Sequence, residues 1–399
     1  MKITNLFRTG LLTIAVSIFL ITACDKEPSD LAPISGDVES AKSLKAGNNG
    51  TASYIVVLNE DFEAAGELAG KHDYDQRKQV MSGYLNRFLG GKGIGNDQVE
   101  QVYTNVFMGF AARLSGPQSE KLRQDTRVKS IEPDQEITLG KPGGGGGTQP
   151  AEVTPWGITR VGGGISGATG KAWIIDSGID LTHPDLSVDV PNSRYFIGRS
   201  PQDENGHGTH VAGIIAAKDN TIGVIGVAAG ATVVAVRVLD RRGSGTISSV
   251  IGGCDYVKAN GVSGDVANMS LGGGVSTALD DAVKSMSIKV MVALAAGNES
   301  DNANNHSPAR VNGSNIYTVS AMGTLDNWAS FSNFGNPPID YCAPGVSIYS
   351  CYKGGTYATM SGTSMAAPHV AGLLLLGAIT TNGYVSGDPD GNADPIAHR

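Results

Sequence analysis

Charge is scarce in this chain: 17% of its 399 residues are Asp, Glu, Lys or Arg, and the formal net charge is −8. With no sustained basic run, the sequence offers no footprint for a nucleic acid. Only four cysteines are present, too few for a small scaffold held together by disulfides. Long apolar runs are missing as well. The longest, residues 11–21, is too short to span a bilayer, so membrane contact is confined to the N-terminus. What the chain has instead is glycine, 55 residues of it, with 6% aromatics, the composition of a turn-rich globular protein with room for two domains.

The N-terminus reads as a targeting segment. Lys2 and Arg8 precede the apolar run, which has the length of a signal h-region. It ends in Ile21-Thr22-Ala23-Cys24, which resembles a bacterial lipobox. That resemblance implies a signal peptide over 1–23 and a lipidated Cys24 as membrane anchor; plain secretion after small-residue cleavage is the other reading. The following Cys24-Asp25-Lys26-Glu27 resembles the export tags of surface-displayed lipoproteins, and 24–52 reads as a flexible tether.

Between 53 and 139 the periodicities predict strand 54–58, a helix over 62–88, strands 99–106 and 109–114, a short helix 116–125 and strand 128–131. This βαββαβ order is that of a small α+β, ferredoxin-like domain without a catalytic cluster. A Gly-rich linker, 140–154, separates it from the remainder, 155–399. There, unalternating apolar stretches at 171–175, 232–238, 266–269, 290–295 and 316–319 predict strands buried on both faces. The fold expected is α/β: a doubly wound parallel sheet with helices on both faces, active residues gathering at the carboxyl ends of the strands.

Four polar residues stand at such ends. Asp176 directly follows Ala172-Trp173-Ile174-Ile175, where an unpaired carboxylate needs donors. His207 lies between two glycines just before an expected helix, and His210 one turn on reads as a buried structural histidine. Asn298 ends Val292-Ala293-Leu294-Ala295-Ala296-Gly297. Ser364 opens an apolar helix, with Pro368 expected in its first turn. A lone Ser in that place is ordinarily an N-cap. Together, Asp, His, Asn and Ser in this order match the acyl-transfer template, whose chain order Asp…His…Ser is that of subtilisin.

The motifs Asp176-Ser177-Gly178-Ile179, His207-Gly208-Thr209-His210, Asn268-Met269-Ser270-Leu271-Gly272-Gly273, Ala295-Ala296-Gly297-Asn298 and Gly362-Thr363-Ser364-Met365-Ala366 resemble those of subtilisin-like serine proteases, in the branch typified by proteinase K. The resemblance covers 156–376. It implies Asp176, His207 and Ser364 as a triad hydrolysing peptide bonds, with the Asn298 amide and the Ser364 N–H as oxyanion donors. It implies Gly243, Ser244 and Gly245 as the strand that pairs with extended substrate and Ile247 at an open P4 site, counting P1 as the residue whose carbonyl is attacked. Ser270, Leu271 and Gly272 would face Ala295, Ala296 and Gly297 across a large apolar P1 pocket, with Glu299 near its floor. Tyr54-Ile55-Val56-Val57-Leu58, Gly109-Phe110-Ala111-Ala112 and Val128-Lys129-Ser130-Ile131-Glu132-Pro133-Asp134 resemble the inhibitory propeptide of the same proteases, which implies a self-inhibited zymogen.

No cofactor is expected for catalysis. The resemblance implies a structural calcium at Asp340; the spacing of Asp388, Asp390, Asn392 and Asp394 is that of a calcium loop without its terminal Glu, and reads as a polar turn. Of the three cysteines after Cys24, Cys342 and Cys351 are the expected disulfide, and Cys254, on an apolar helical face, a buried thiol. Residues 379–399 look polar and turn-rich, as though the family's final elements were truncated. An extracytoplasmic protease is thus the leading expectation, and a catalytically silent surface binding protein on the same scaffold the alternative.

Overall fold

The computed structural model describes residues 50–61, 65–70, 73–139, 150–377 and 379–399. The signal segment, Cys24, most of the tether and most of the Gly-rich linker lie outside them. The first domain is built from β1 (Thr51–Leu58), α1 (Ala65–Ala69), α2 (Tyr74–Gly90), β2 (Val99–Tyr103), β3 (Gly109–Ser115), α3 (Gly116–Arg123) and β4 (Val128–Pro133). Its antiparallel sheet runs β2-β3-β1-β4, the order expected of the βαββαβ pattern. Asp73 caps α2, accepting the Gln76 N–H at 2.8 Å, so a second helix starts where one long helix was expected. The pleat of β1 serves two cores: Val56 and Leu58 pack with Met81, Leu85 and Leu89 of α2, while Ile55 and Val57 face the larger domain.

The larger domain follows a short strand, β5 (Glu136–Thr138), and a one-turn helix, α4 (Trp156–Arg160). Its strands are β6 (Lys171–Asp176), β7 (Ser187–Val188), β8 (Arg194–Tyr195), β9 (Thr232–Arg237), β10 (Ser244–Thr246), β11 (Val266–Met269), β12 (Met291–Ala295), β13 (Ile316–Met322), β14 (Ile339–Pro344), β15 (Ile348–Tyr352), β16 (Thr356–Met360), β17 (Thr380–Tyr384) and β18 (Pro395–His398). The main sheet runs β17-β18-β14-β13-β12-β11-β6-β9-β7, with β8 also on β9, and is parallel except at β17–β18. Its helices are α5 (His207–Ala216), α6 (Ile247–Asn260), α7 (Thr277–Met286) and α8 (Thr363–Leu375). Helices α5 and α8 pack on one face, where Val211, Ile215, Ala367 and Val370 join one core. Helices α6 and α7 cover the other, where Ile251, Val257 and Leu279 join a second. This is the doubly wound architecture the buried strands imply.

Two further expectations fail. The last residues are not a loose turn-rich tail: β18 extends the sheet edge, Ile396 pairing with Cys342, and β17 returns antiparallel to it. All five β17 residues are exposed, so no apolar alternation marked them as a strand. The Cys342–Cys351 disulfide is absent, and both thiols are free and buried. Cys342 sits in β14 with Met322, Val385 and Ile396, whereas Cys351 belongs to the β15–β16 hairpin in the α5 core, its Sγ 3.9 Å from Asp185 Oδ2. Different sheets hold the two sulfurs. Cys254 is the buried free thiol expected, packed with Ile247, Val250 and Ile251.

Candidate active site

Asp176 ends β6 with its side chain fully buried, and both of its oxygens lie 2.9 Å from Nδ1 of His207, the first residue of α5. Three features hold this pair. Gly206, at φ +111°, turns the chain into α5 in a conformation that a side chain would resist. Its missing Cβ is also needed, since one would stand 2.3 Å from the Tyr352 ring. Tyr352 and Lys353 clamp the loop from above, donating to the Asn205 and Glu204 carbonyls at 3.1 and 2.7 Å. Behind it, buried Asp203 accepts from Ser177 Oγ, the Asn205, Gly206 and Thr209 N–H groups and Thr209 Oγ1. Burial opposes a charge on His207, but the charge and hydrogen bond of Asp176, with Asp203 further off, outweigh it and lift the imidazole above its ordinary value of 6.5.

Ser364 is the second residue of α8, and α8 packs against α5, the helix that His207 opens. Pro368 lies in the second turn of α8, not the first as expected. Its absent N–H leaves the Ser364 carbonyl without its i+4 donor, and Ser270 Oγ fills that vacancy at 2.8 Å. The Ser364 hydroxyl donates to the Ser270 carbonyl at 3.2 Å and makes no hydrogen bond to His207. Asn298 follows β12. Its Oδ1 accepts from Thr363 N (2.8 Å) and Oγ1 (3.1 Å), which fixes the amide with Nδ2 as its open donor beside the Ser364 N–H, itself an unpartnered first-turn donor.

Beside Ser364 opens a cavity of about 200 Å³ whose lining includes Ser270, Leu271, Gly272, Ala295, Ala296 and Gly297. Glu299 and His306 also line it. So do Thr138 and Leu139, from the strand that leaves the first domain. That strand, β5, pairs antiparallel with β10: Thr138 opposite Ser244, Ile137 opposite Gly245, Glu136 opposite Thr246. The Leu139 N–H extends the ladder to the Gly243 carbonyl at 2.8 Å. Ile137 is fully buried in one cluster with Ile247, the residue expected at the P4 site.

Acidic side chains fasten the first domain to the second. Asp134 accepts from N and Oγ of Ser248 at 2.9 and 2.6 Å, in the first turn of α6, and Glu132 accepts from Ser276 Oγ and Ala278 N at the start of α7. Both supply negative charge where the helix dipoles favour it. In the reverse sense, Oδ1 of Asp255 on α6 accepts the N–H groups of Thr104, Asn105 and Val106 at 3.0, 2.6 and 2.9 Å.

Comparison with known proteins fits this geometry. Residues 173–380 match the subtilase family and residues 53–140 the peptidase inhibitor I9 family. The chain belongs to the subtilase family. It is 38% identical to the extracellular serine proteinase of Thermus sp. (strain Rt41A) over 390 residues, 92% of this chain and 90% of the relative. It is 41% identical to an alkaline protease of Alkalihalobacillus alcalophilus over 347 residues, 84% of either chain. A crystal structure of a cold adapted subtilisin-like serine proteinase superposes with a TM-score of 0.54 at 37% identity, covering 61% of this chain and 97% of the other. This subtilase is therefore a serine endopeptidase carrying a propeptide-type inhibitor domain on the same chain.

Of the residues expected at the site, Asp176 and His207 bond directly, while Asn298 and Ser364 meet through Thr363. His210 is the structural residue expected: its Nε2 reaches the Ile348 and Ala358 carbonyls, and burial drives it down to about 3. Asp340 stands apart, its Oδ2 accepting the Thr318 N–H at 2.8 Å. Among the described residues, no three His, Cys, Asp or Glu side chains gather as a metal cage. Sequence reasoning missed Asp203, Tyr352, Asp255 and His306. Asp203 alone left a local signal, an Asp three residues before the strained Gly206.

Proposed function

We propose that this subtilase cuts peptide bonds through Ser364 as nucleophile, with His207 as general base and Asp176 holding the imidazole tautomer. His207 takes the hydroxyl proton as Ser364 attacks, then returns it to the leaving amine; water repeats the cycle on the acyl-enzyme. Asn298 Nδ2 and the Ser364 N–H receive the oxyanion. Substrate adds a strand to β10, as β5 does, with apolar side chains preferred at P4 and P1.

The observation that carries this reading is β5 itself, a product-like strand of the same chain lying along β10 towards Ser364. It supports a zymogen whose first substrate is its own linker. The Leu139 side chain rests over Gly243, its Cβ 3.1 Å from where a Cβ on Gly243 would stand. Taking Ile137, clustered with Ile247, as P4 makes residue 140 P1 by count along the sequence, and Gly140–Lys141 the bond cut first. A glycine there leaves the P1 pocket without a side chain, so self-recognition rests on Ile137 and Leu139. Expression of Ser364→Ala without other proteases tests the proposal: it stays full length, while the wild-type enzyme matures with Lys141 as its first N-terminus. Equal maturation of the mutant refutes self-cleavage, and a first N-terminus elsewhere refutes the register.

The proposal includes an extracytoplasmic site of action, in keeping with relatives named as extracellular, and an anchor at Cys24. Cys24→Ser is then released from the membrane with unchanged specific activity; equal detergent partitioning of the two proteins refutes the anchor. A calcium ion at Asp340 is proposed as a stability element only, because a single carboxylate with one oxygen already bonded carries no catalytic step. A chelator should lower the Tm of the wild type and not of Asp340→Asn.

A further inference from the structure

The chain segments that carry Asp176, His207 and Ser364 all meet one element outside the main sheet, the hairpin β15–β16. Its strands pair from Ile348 opposite Met360 to Tyr352 opposite Thr356. Only Ser361, Gly362 and Thr363 separate it from Ser364, and the Ser361 hydroxyl closes its base by accepting the Ser347 N–H at 2.8 Å. Along its length it grips α5. His210 Nε2 reaches the Ile348 and Ala358 carbonyls, one on each strand, and Ser350 Oγ donates to the His210 carbonyl at 2.8 Å. Gly213 permits this approach, since a Cβ there would stand 2.8 Å from that of Cys351. The tip of the hairpin touches the other two segments. The Gly355 N–H donates to Oδ2 of Asp180, four residues after Asp176, at 2.9 Å. Tyr352, buried, donates its hydroxyl to the Asn205 carbonyl at 3.1 Å and lays its ring against Gly206.

We propose that Tyr352 is a positioning residue for catalysis: it braces the Asn205–Gly206 turn so that the His207 imidazole stays aimed at the Ser364 hydroxyl. The inference rests on the triad proposed above and adds a residue to its support. Asp176 holds the imidazole through Nδ1 alone, both oxygens on the one nitrogen, and Ser364 does not bond the ring from the other end. The aim must therefore come from the backbone. Gly206, at φ +111°, is the joint on which His207 turns, and the permissive backbone of a glycine offers little resistance to a swing. The Tyr352 ring occupies the space beside that joint, and its hydroxyl ties down the residue before it. Misplacing a reacting group by about 1 Å costs on the order of 10²-fold in rate, so removing the ring should lower kcat by about 10- to 100-fold. Removing the hydroxyl alone deletes one neutral hydrogen bond and costs about two- to fivefold. No hairpin residue lines the cavity beside Ser364, so KM should stay within about twofold.

The test measures kcat and KM of matured wild type, Tyr352→Phe and Tyr352→Ala on a peptide and on a nitrophenyl ester of the same acyl group. His207 serves as base toward both substrates, but it must also protonate the departing amine of the peptide, whereas nitrophenolate leaves without a proton. A misaimed imidazole therefore harms the peptide reaction more. A smaller fraction of folded enzyme harms both equally. Tyr352→Ala should lose about 10- to 100-fold in kcat on the peptide with KM little changed, and its loss in kcat/KM on the ester should be about threefold smaller or less. Tyr352→Phe, which keeps the ring, should recover most of that loss. Should Tyr352→Ala fail to fold, Tyr352→Leu carries the same comparison. Equal losses on peptide and ester, or a peptide kcat within about twofold of wild type, overturn the inference while leaving the triad standing. A wild-type enzyme that cuts neither substrate overturns the triad, and this inference with it.

Discussion

Asp255 provides a quantitative test of how the inhibitor domain is held. Its carboxylate, fully buried beneath the 104–106 loop, accepts three backbone N–H groups and, at 3.3 Å, the Asn105 amide. Asp255→Ala would leave three donors facing an apolar methyl inside the interface. A hydrogen bond to a charged group contributes about 1.5–3 kcal/mol, but three donors crowding one oxygen do not add fully, so about 3–4 kcal/mol in all is expected. That corresponds to inhibition weaker by on the order of 10²–10³. The assay is the inhibition constant of a peptide spanning 50–139, added in trans to matured wild-type or mutant enzyme. Any cost of folding the free peptide enters both measurements and cancels in their ratio. Asp255→Asn, which keeps one acceptor oxygen, should fall between. An inhibition constant for Asp255→Ala within about threefold of wild type would show that this carboxylate does not hold the interface.

Other consequences are as direct. Asn298→Ala should lower kcat by on the order of 10²–10³ with little change in KM, the effect of removing one oxyanion donor in subtilisin; a KM effect alone would assign Asn298 to ground-state binding. Because Asp176 raises the imidazole of His207, the base stays protonated to higher pH and the acid limb of kcat/KM lies above 6.5; in Asp176→Asn that limb moves to lower pH and kcat falls by about 10⁴, whereas an unmoved limb would mean another group controls it. Reducing agent should leave Tm unchanged, and Cys254, Cys342 and Cys351 should react with a thiol reagent only after denaturation; a reductant-sensitive Tm would restore the disulfide.

The candidate site was legible because its residues coincide with element ends. Asp176 and Asn298 close runs of buried β-branched and small residues, and His207 and Ser364 open helices at glycines, so each was marked by a change of pattern rather than by its own identity. The sheet followed from the same unalternating runs. What was illegible depends on contacts distant in the chain. Whether Cys342 and Cys351 meet depends on which sheet each strand joins, and nine residues of separation do not say. Strand β17 carries no apolar face to read, and β18 only Ile396 and Ala397. His306 sits in a polar stretch, Asn304-Asn305-His306-Ser307, and becomes a pocket residue only because the turn after Asn298 brings it back to Glu299. The role of Pro368 was misread because its value lies in the bond it fails to make to Ser364.

The most direct measurement is to treat the matured enzyme with a serine-directed phosphonate and map the adduct by peptide mass spectrometry while following casein hydrolysis. The account predicts one adduct, on Ser364, formed in step with loss of activity and absent from His207→Ala. Full activity after complete labelling of Ser364, or inactivation with the adduct on another residue, would contradict it.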